Sequence, residues 1–287
     1  MKRSWILLVA LVVMAVALLP LAVGCGDDTT TTTAAADDGA DASAAADEAI
    51  AAVTKSDAIE TPPTLETGKL QAGSDTSFAP FEFSDEAGGY EGFDVDLVTA
   101  IAKKMGLEAV VVATAWDGII PNLVADRYDI IMSAMTITEE RKQQISFTDG
   151  YIDTNLAITT LVDSPILDEA GLVDKIVGVQ VDTTGQFAVE EVEGVKEIKK
   201  YENSIAAIQD LEAGRVDAVV NDSPVNAYYT RDKPQFGNTG KIGTDDQYGY
   251  GIKQENTALR EAMNAALAEL KADGTYDKIY TKWFGDN

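Results

Sequence analysis

The chain has 287 residues, enough for one large domain or two small ones, and carries 48 acidic against 22 basic side chains, a net charge of −26, with no histidine. That balance excludes nucleic acid as a partner, because phosphate binding needs clustered Lys and Arg. It also removes the usual general base and the commonest zinc ligand, so catalysis would have to come from carboxylates, Lys, Tyr or Ser, and no metal or cofactor is expected.

The first residues, MKRSWILLVALVVMAVALLPLAVGCG, place Lys2 and Arg3 before an apolar run over 5–23, then small residues before Cys25. This is the pattern of a secretory signal, although the run is also long enough to remain in a bilayer as an uncleaved anchor. Ala22-Val23-Gly24-Cys25 resembles the bacterial lipoprotein signal, where cleavage precedes the cysteine and its sulfur carries the lipid; Ala22 stands where leucine is usual. Residues 1–25 are therefore expected to form a lipoprotein signal peptide ending at a lipidated Cys25. Cys25 is the only cysteine, so no internal disulfide is expected, and lipidation accounts for a lone thiol in an oxidising compartment. Residues 26–64 contain TTTTT, DDGADASAAADEA and TPP, with almost no large apolar side chains. They are expected to form a disordered acidic, Thr- and Ala-rich tether, with a helical patch over 47–53 as the alternative.

From Leu65 onward the chain reads as strands feeding helices. QAGSDTSF, residues 71–78, ends a strand in small polar residues. YEGFDVDLVTAIAKKMG carries apolar residues at Val95, Leu97, Val98, Ile101, Ala102 and Met105, a helical stripe stopped by Gly106. Trp116 to Pro121 opens another helix, with proline near the first turn. In TITEERKQQISF, Thr138 is a good N-cap and Glu139 and Glu140 suit a first turn, but Arg141 does not. Either it points into water and pairs loosely with a glutamate, or an anion sits between it and the free amide groups.

The chain also repeats itself. ADRYDIIMSA (125–134) aligns with AGRVDAVVND (213–222), which places Ser133 and Ala134 opposite Asn221 and Asp222. QAGSDTSF has a similar counterpart in GVQVDTTG (178–185). Together these pairs suggest two α/β lobes, whose strand ends lie where open α/β sheets collect ligands. Ser and Thr there are also ordinary helix caps, so Thr183 or Ser77 taken alone fits either role. Two C-terminal helices punctuated by Gly274 follow, with Tyr276, Tyr280, Trp283 and Phe284 assigned to packing.

SFAPFEF, GFDVDLVTAIAKKMG, WDGIIPNL, YDIIMSAMTITEERKQQISFTDGY, VGVQVDTTG, AVVNDSPV and DGTYDKIYTKWFG closely resemble the family 3 extracellular solute-binding proteins, which capture polar amino acids for ABC importers. The resemblance implies an α/β, two-lobe periplasmic-binding-protein-like fold of type II, with the ligand cleft between lobes joined by two crossover strands near 151–155 and 246–250. Residues 65–152 with 248–287 are then lobe 1, and 153–247 lobe 2. The resemblance further implies that Arg141, which matches the family's arginine, holds the α-carboxylate of a bound amino acid, assisted by Thr136 and the backbone near Ala134. Asp222 matches the acceptor of the α-ammonium, and Thr183 and Thr184 match a loop that closes on the carboxylate.

Phe78 and Trp116 match aromatic positions that sandwich the ligand side chain, and Asp75 matches a residue facing its far end. Ser133, Gln180 and Asn221 fall at further pocket positions. Asp182 stands where glycine is common, either lining the mouth or capping a helix. An acidic Asp75 disfavours aspartate and glutamate, and places glutamine or another polar neutral slightly ahead of a basic ligand. The implied partners are a free amino acid and the membrane permease subunits of an importer, with a lipid anchor on Cys25 at the outer face of the cytoplasmic membrane and a monomeric state. The chemistry is coherent in itself, since a zwitterion in a dry cleft needs a partner at each end. An enzyme on the same fold, such as a small-carboxylate dehydratase, and a ligand-sensing receptor subunit are the alternatives.

Overall fold

The computed structural model describes residues 38–286; the signal segment, Cys25 and the first part of the expected tether lie outside them. α1 (Asp38–Ala52) comes first. β1 (Lys69–Ser74) then leads into a small antiparallel sheet of β2 (Ser77–Phe78), β3 (Glu82–Ser84) and β4 (Tyr90–Glu91). α2 (Phe93–Met105), β5 (Glu108–Ala113), α3 (Ile119–Val124), β6 (Ile130–Ile131), α4 (Glu139–Lys142) and β7 (Ser146–Phe147) follow. α2 obeys local rules throughout: Asp94 and Asp96 occupy its first turn and Lys103 and Lys104 its last, complementing the helix dipole. Gly106 ends it in the left-handed region at φ 77°, donating its N–H to the Ala102 and Lys103 carbonyls.

β8 (Ile152–Leu161) carries the chain into a second sheet, built with β9 (Ile176–Gln180), α5 (Thr184–Glu190), β10 (Glu197–Tyr201), α6 (Ser204–Glu212), β11 (Ala218–Asp222), α7 (Ser223–Thr230) and β12 (Phe236–Tyr248). β13 (Gly251–Ile252) returns to the first sheet. The first sheet has the order β5-β1-β6-β13-β7 and the second β10-β9-β11-β8-β12. The internal repeat is visible in the pairing. β1 and β6 lie side by side and parallel, with Ala72 opposite Ile130; β9 and β11 do the same, with Val177 opposite Ala218. Matching segments therefore occupy matching places, and all four strands point their carboxyl ends at the same region. At the passages between sheets, Tyr151 N–H donates to the Tyr248 carbonyl at 3.0 Å, and Thr136 bridges Tyr248.

α8 (Thr257–Ala272) buries Leu259, Met263, Ala266, Leu267 and Leu270, a stripe at helical spacing, and α9 (Thr275–Phe284) lies beside it. One core cluster gathers Leu70, Phe81, Phe93, Leu97, Ile101 and Met263 around the first sheet; another gathers Ile158, Val177, Val179, Val220 and Ile242 around the second. Tyr276, Tyr280, Trp283 and Phe284 pack against the first of these.

Over the described part of the expected 26–64 tether, residues 38–64, α1 replaces disorder and takes the helical alternative, starting well before the 47–53 patch. Ala46 and Ile50, one turn apart on the helix, are buried, and Asp47 pairs with Lys282 of α9 at 2.7 Å. The following segment lies along the end of α2, where Ser56 N–H donates to the Lys104 carbonyl at 2.9 Å and Thr61 Oγ1 to the Met105 carbonyl at 2.8 Å. The physical reason is that α1 packs on α9 and places Ile50 in the core cluster around the first sheet, so a narrow apolar stripe is enough when another element supplies the rest of the surface, while the segment after α1 satisfies carbonyls at the end of α2.

Candidate functional site

The carboxyl ends of the strands converge on one cavity. Asp75 and Phe78 follow β1, Ser133, Ala134 and Thr136 follow β6, and Arg141 comes from α4; the second sheet supplies Gln180 at the end of β9, Thr183 and Thr184 at the start of α5, and Asp222 at the end of β11. With Trp116, these residues line it. Of the residues assigned to the pocket from the sequence, Asn221 is absent from the lining, as are Ser77 and Asp182, which were given two roles each; Asn221 is buried, and its Nδ2 has no partner among the described residues. Successive side chains on a strand face opposite ways, so with Asp222 turned into the cavity its neighbour turns away. The free volume is about 10 Å³, barely one water, so an amino-acid-sized solute is admitted only if the walls part.

Two contacts hold those walls together. Gln180 Nε2 donates to Asp75 Oδ2 at 2.9 Å, and Trp116 Nε1 donates to the Asp182 carbonyl at 3.0 Å. Both run from the first sheet's strand ends to the second's. Asp182 has φ 55°, in the left-handed region that favours glycine, and its side chain is exposed. What it presents to the cleft is a backbone carbonyl, which was not among the roles expected of it. Beyond Trp116 an outer cavity of about 480 Å³ opens, lined in part by Ile120, Pro121, Met135 and Phe187.

Arg141 does not point into water. It is 8 % exposed, its Nη1 donates to the Thr136 carbonyl at 2.8 Å, and its guanidinium lies 5.1 Å from the centre of the Trp116 ring. Thr138 caps α4 as expected, its Oγ1 accepting from Arg141 N–H at 3.2 Å. α4 is only four residues long, so its dipole adds little and the guanidinium itself is the main positive charge. Thr183 fills both of its candidate roles: it lines the cavity and caps α5, accepting from Gln186 N–H at 3.2 Å.

Burial sets the electrostatics. It lowers the Arg141 pKa to about 10, opposed mainly by Asp222. It raises Asp222 to about 7 against the Tyr248 hydrogen bond and the Arg141 charge, which favour the carboxylate. It also raises Asp75, opposed by hydrogen bonds from Ser77 and Gln180. Two further carboxyls lie behind the lining, Glu82 and Asp94, each completely buried and each with one oxygen unpartnered among the described residues. Burial, then Asp94 and Asp75, push Glu82 up, and burial lifts Asp94 to about 7.

These supporting residues were not singled out from the sequence. Ser133 Oγ accepts from Asp75 N–H and donates to Glu82 Oε1, both at 3.0 Å, while Asp94 Oδ2 accepts from Ala134 N–H at 3.1 Å and from the Tyr151 hydroxyl at 2.7 Å. Ala134 sits at φ 41°, a strained position for a residue with a Cβ, and Asp94 fixes its amide there. The paired acids in GFDVD passed unread in the sequence, where the apolar stripe of that segment carried the reading.

A model of the bacterial extracellular solute-binding proteins, family 3, matches residues 70–286 of this chain. The ABC transporter arginine-binding protein 1 of Escherichia coli (strain K12) is 34% identical over 221 residues, spanning 75% of this chain and 90% of that protein. Among solved structures, an ancestral arginine-binding protein bound to arginine is 42% identical with a TM-score of 0.73, over 76% of this chain and 99% of that one. An ancestral arginine-binding protein bound to glutamine is 41% identical with a TM-score of 0.74, over 77% and 100%.

Proposed function

This chain belongs to the family 3 bacterial extracellular solute-binding proteins, amino-acid-capturing components of ABC importers, and we propose that its solute is a basic L-amino acid, arginine ahead of the others. The observation that carries this is the imbalance of charge in the cavity lining: Asp75 and Asp222 against Arg141. A zwitterion's carboxylate goes to Arg141 in bidentate fashion and its ammonium to Asp222, which leaves the half-buried Asp75 without a cation. A guanidinium or ammonium at the end of the ligand side chain supplies one. That argument reverses the order suggested by the sequence, which put glutamine first. The relationship to an arginine-binding relative points the same way.

In this reading Phe78 and Trp116 hold the side chain between their rings, Thr136 and the Ala134 backbone assist at the carboxylate, and Ser133, Gln180, Thr183 and Thr184 complete the polar wall. Residues 65–152 with 248–287 form one lobe and 153–247 the other. Because Arg141 and Asp222 belong to different lobes, only the closed form satisfies both ends of the ligand, which therefore shifts the protein toward closure. The mature protein is held at the outer face of the cytoplasmic membrane by a lipid on Cys25.

Calorimetric titration of the chain lacking residues 1–25 with arginine, lysine, histidine, glutamine and glutamate tests this. Arginine is expected to bind tightest and glutamate not at all. A clear preference for glutamine would overturn the assignment of Asp75, and silence toward every amino acid would overturn the proposal as a whole.

A further inference from the structure

Tyr229, on α7 beyond the cavity lining, is tied to the site by its hydroxyl. That hydroxyl donates to the Ser77 carbonyl at 2.8 Å and accepts from Ala79 N–H at 3.2 Å. Ser77 and Ala79 flank Phe78, which lines the cavity. The ring of Tyr229 packs against two core clusters, the one around the first sheet and the one between α6 and β11. Next to it, Tyr228 lies 5.9 Å from Phe83 of β3, ring centre to ring centre, with the Arg231 guanidinium 4.0 Å from the Tyr228 centre. A tyrosine pair on the second sheet's helix thus seats on the hairpin that presents Phe78.

We propose that Tyr229 is an interlobe latch and positioning residue: it grips the two peptides on either side of Phe78, so that the ring stays against the ligand while the lobes are closed. The inference rests on the reading of this cavity as an amino-acid site. One phenol hydroxyl satisfies two backbone groups, a donor and an acceptor, that belong to the other lobe. The geometry makes the contact dependent on closure, since Ser77 and Ala79 travel with β1 whereas Tyr229 travels with β11. Trp116 and Gln180 also cross the cleft, but they line the cavity; Tyr229 acts through Phe78 without lining it. Losing the hydroxyl should therefore weaken retention of the ligand more than its capture, because capture begins with the lobes apart.

The test compares wild type with Tyr229→Phe, in the chain lacking residues 1–25, using L-arginine and L-glutamine as probes. Stopped-flow kinetics give the rates, and fluorophores on Asp117→Cys and Glu191→Cys give the interlobe distance; removing Cys25 leaves no other thiol to label. The latch predicts dissociation roughly five- to tenfold faster, at the low end of what losing two modest hydrogen bonds would give. Association should stay within about twofold, the ligand-free melting temperature should be unchanged, and the distance distribution should shift toward open. Unchanged dissociation and distance would overturn the latch. So would a large drop in ligand-free melting temperature with the distances unaltered, which marks a packing role alone. If wild type binds neither probe, the amino-acid reading fails, while the distance measurement still decides whether Tyr229 holds the lobes together.

Discussion

Arg141 of α4, beside the first sheet, and Asp222 at the end of β11 in the second meet through one buried cavity, and each favours the charged form of the other against the burial that opposes it. Replacing either leaves its partner buried and, once a ligand enters, one end of the zwitterion unmatched. Arg141→Ala or Asp222→Ala is expected to weaken amino-acid binding by about 3 to 5 kcal/mol, the range for stripping one partner from a buried ion pair. That is roughly 150- to 5000-fold in Kd, read by calorimetry. Binding within about threefold of wild type for either variant would remove the assignment.

Asp222 also sets a pH dependence. Its folded pKa of about 7 lies above the ordinary value of 3.8, so the ligand-free folded state holds this proton more tightly than the unfolded chain does. The contribution to stability is fully present below about pH 4 and is lost as the pH rises toward about 7; Asp94, lifted to about 7 as well, adds to the loss. Ligand-free Asp222→Asn should therefore melt several degrees above wild type at pH 8 and lose that advantage by pH 4.

Ligand binding reverses the sign. An α-ammonium needs the Asp222 carboxylate, so binding at pH 6, below the ligand-free pKa of about 7, should release close to one proton per arginine. Calorimetry in buffers of different ionisation enthalpy reads the number directly, and Asp222→Asn should abolish the release. No release from wild type would show that the ammonium does not meet Asp222.

Asp75→Asn separates basic from neutral ligands. It keeps the hydrogen-bonding shape but removes the charge facing the side-chain end of the ligand. Arginine affinity should fall roughly 10- to 150-fold, as expected for a hydrogen bond to a charged group, while glutamine affinity should move by less than about threefold. Thermal shifts with both amino acids would show the two responses diverge. Equal losses would place Asp75 in a structural role.

Ile50→Ala tests whether α1 is part of the folded body. Ile50 is 9 % exposed within the first core cluster, so the truncation should cost about 2 kcal/mol. For a domain of this size that is roughly 4 to 8 °C in melting temperature. Arginine affinity should be unaffected, since α1 lies away from the cavity lining. An unchanged melting temperature would return this segment to the status of a tether.

Much of the architecture was legible because its determinants are local. The stripe of α2, its stop at Gly106, the cap at Thr138 and the self-similarity of 125–134 with 213–222 are all short-range patterns, and each reappears in the structure. The cavity residues were legible through their place at strand ends and through family resemblance. Asn221 was not, because the choice of which member of an adjacent pair faces inward depends on the pleat and not on residue type. α1 was legible only as the alternative helical patch over 47–53, because Ala46 and Ile50 make a stripe too narrow to declare a core without the α9 surface it packs against.

By itself, the order of residues determined the strand-then-helix rhythm, the two related halves and an arginine out of place in an acidic first turn, whose burial only the structure decided. Only the tertiary structure decided that Gln180 would reach Asp75, that Asp94 would fix the strained amide of Ala134, and that Tyr229 would span Phe78 from the other sheet. Helix and strand patterns arise from neighbours a few bonds apart, whereas these contacts join residues 40 to 152 positions apart in the chain. No periodicity records such pairs, because they exist only once both sheets have formed and brought their ends together.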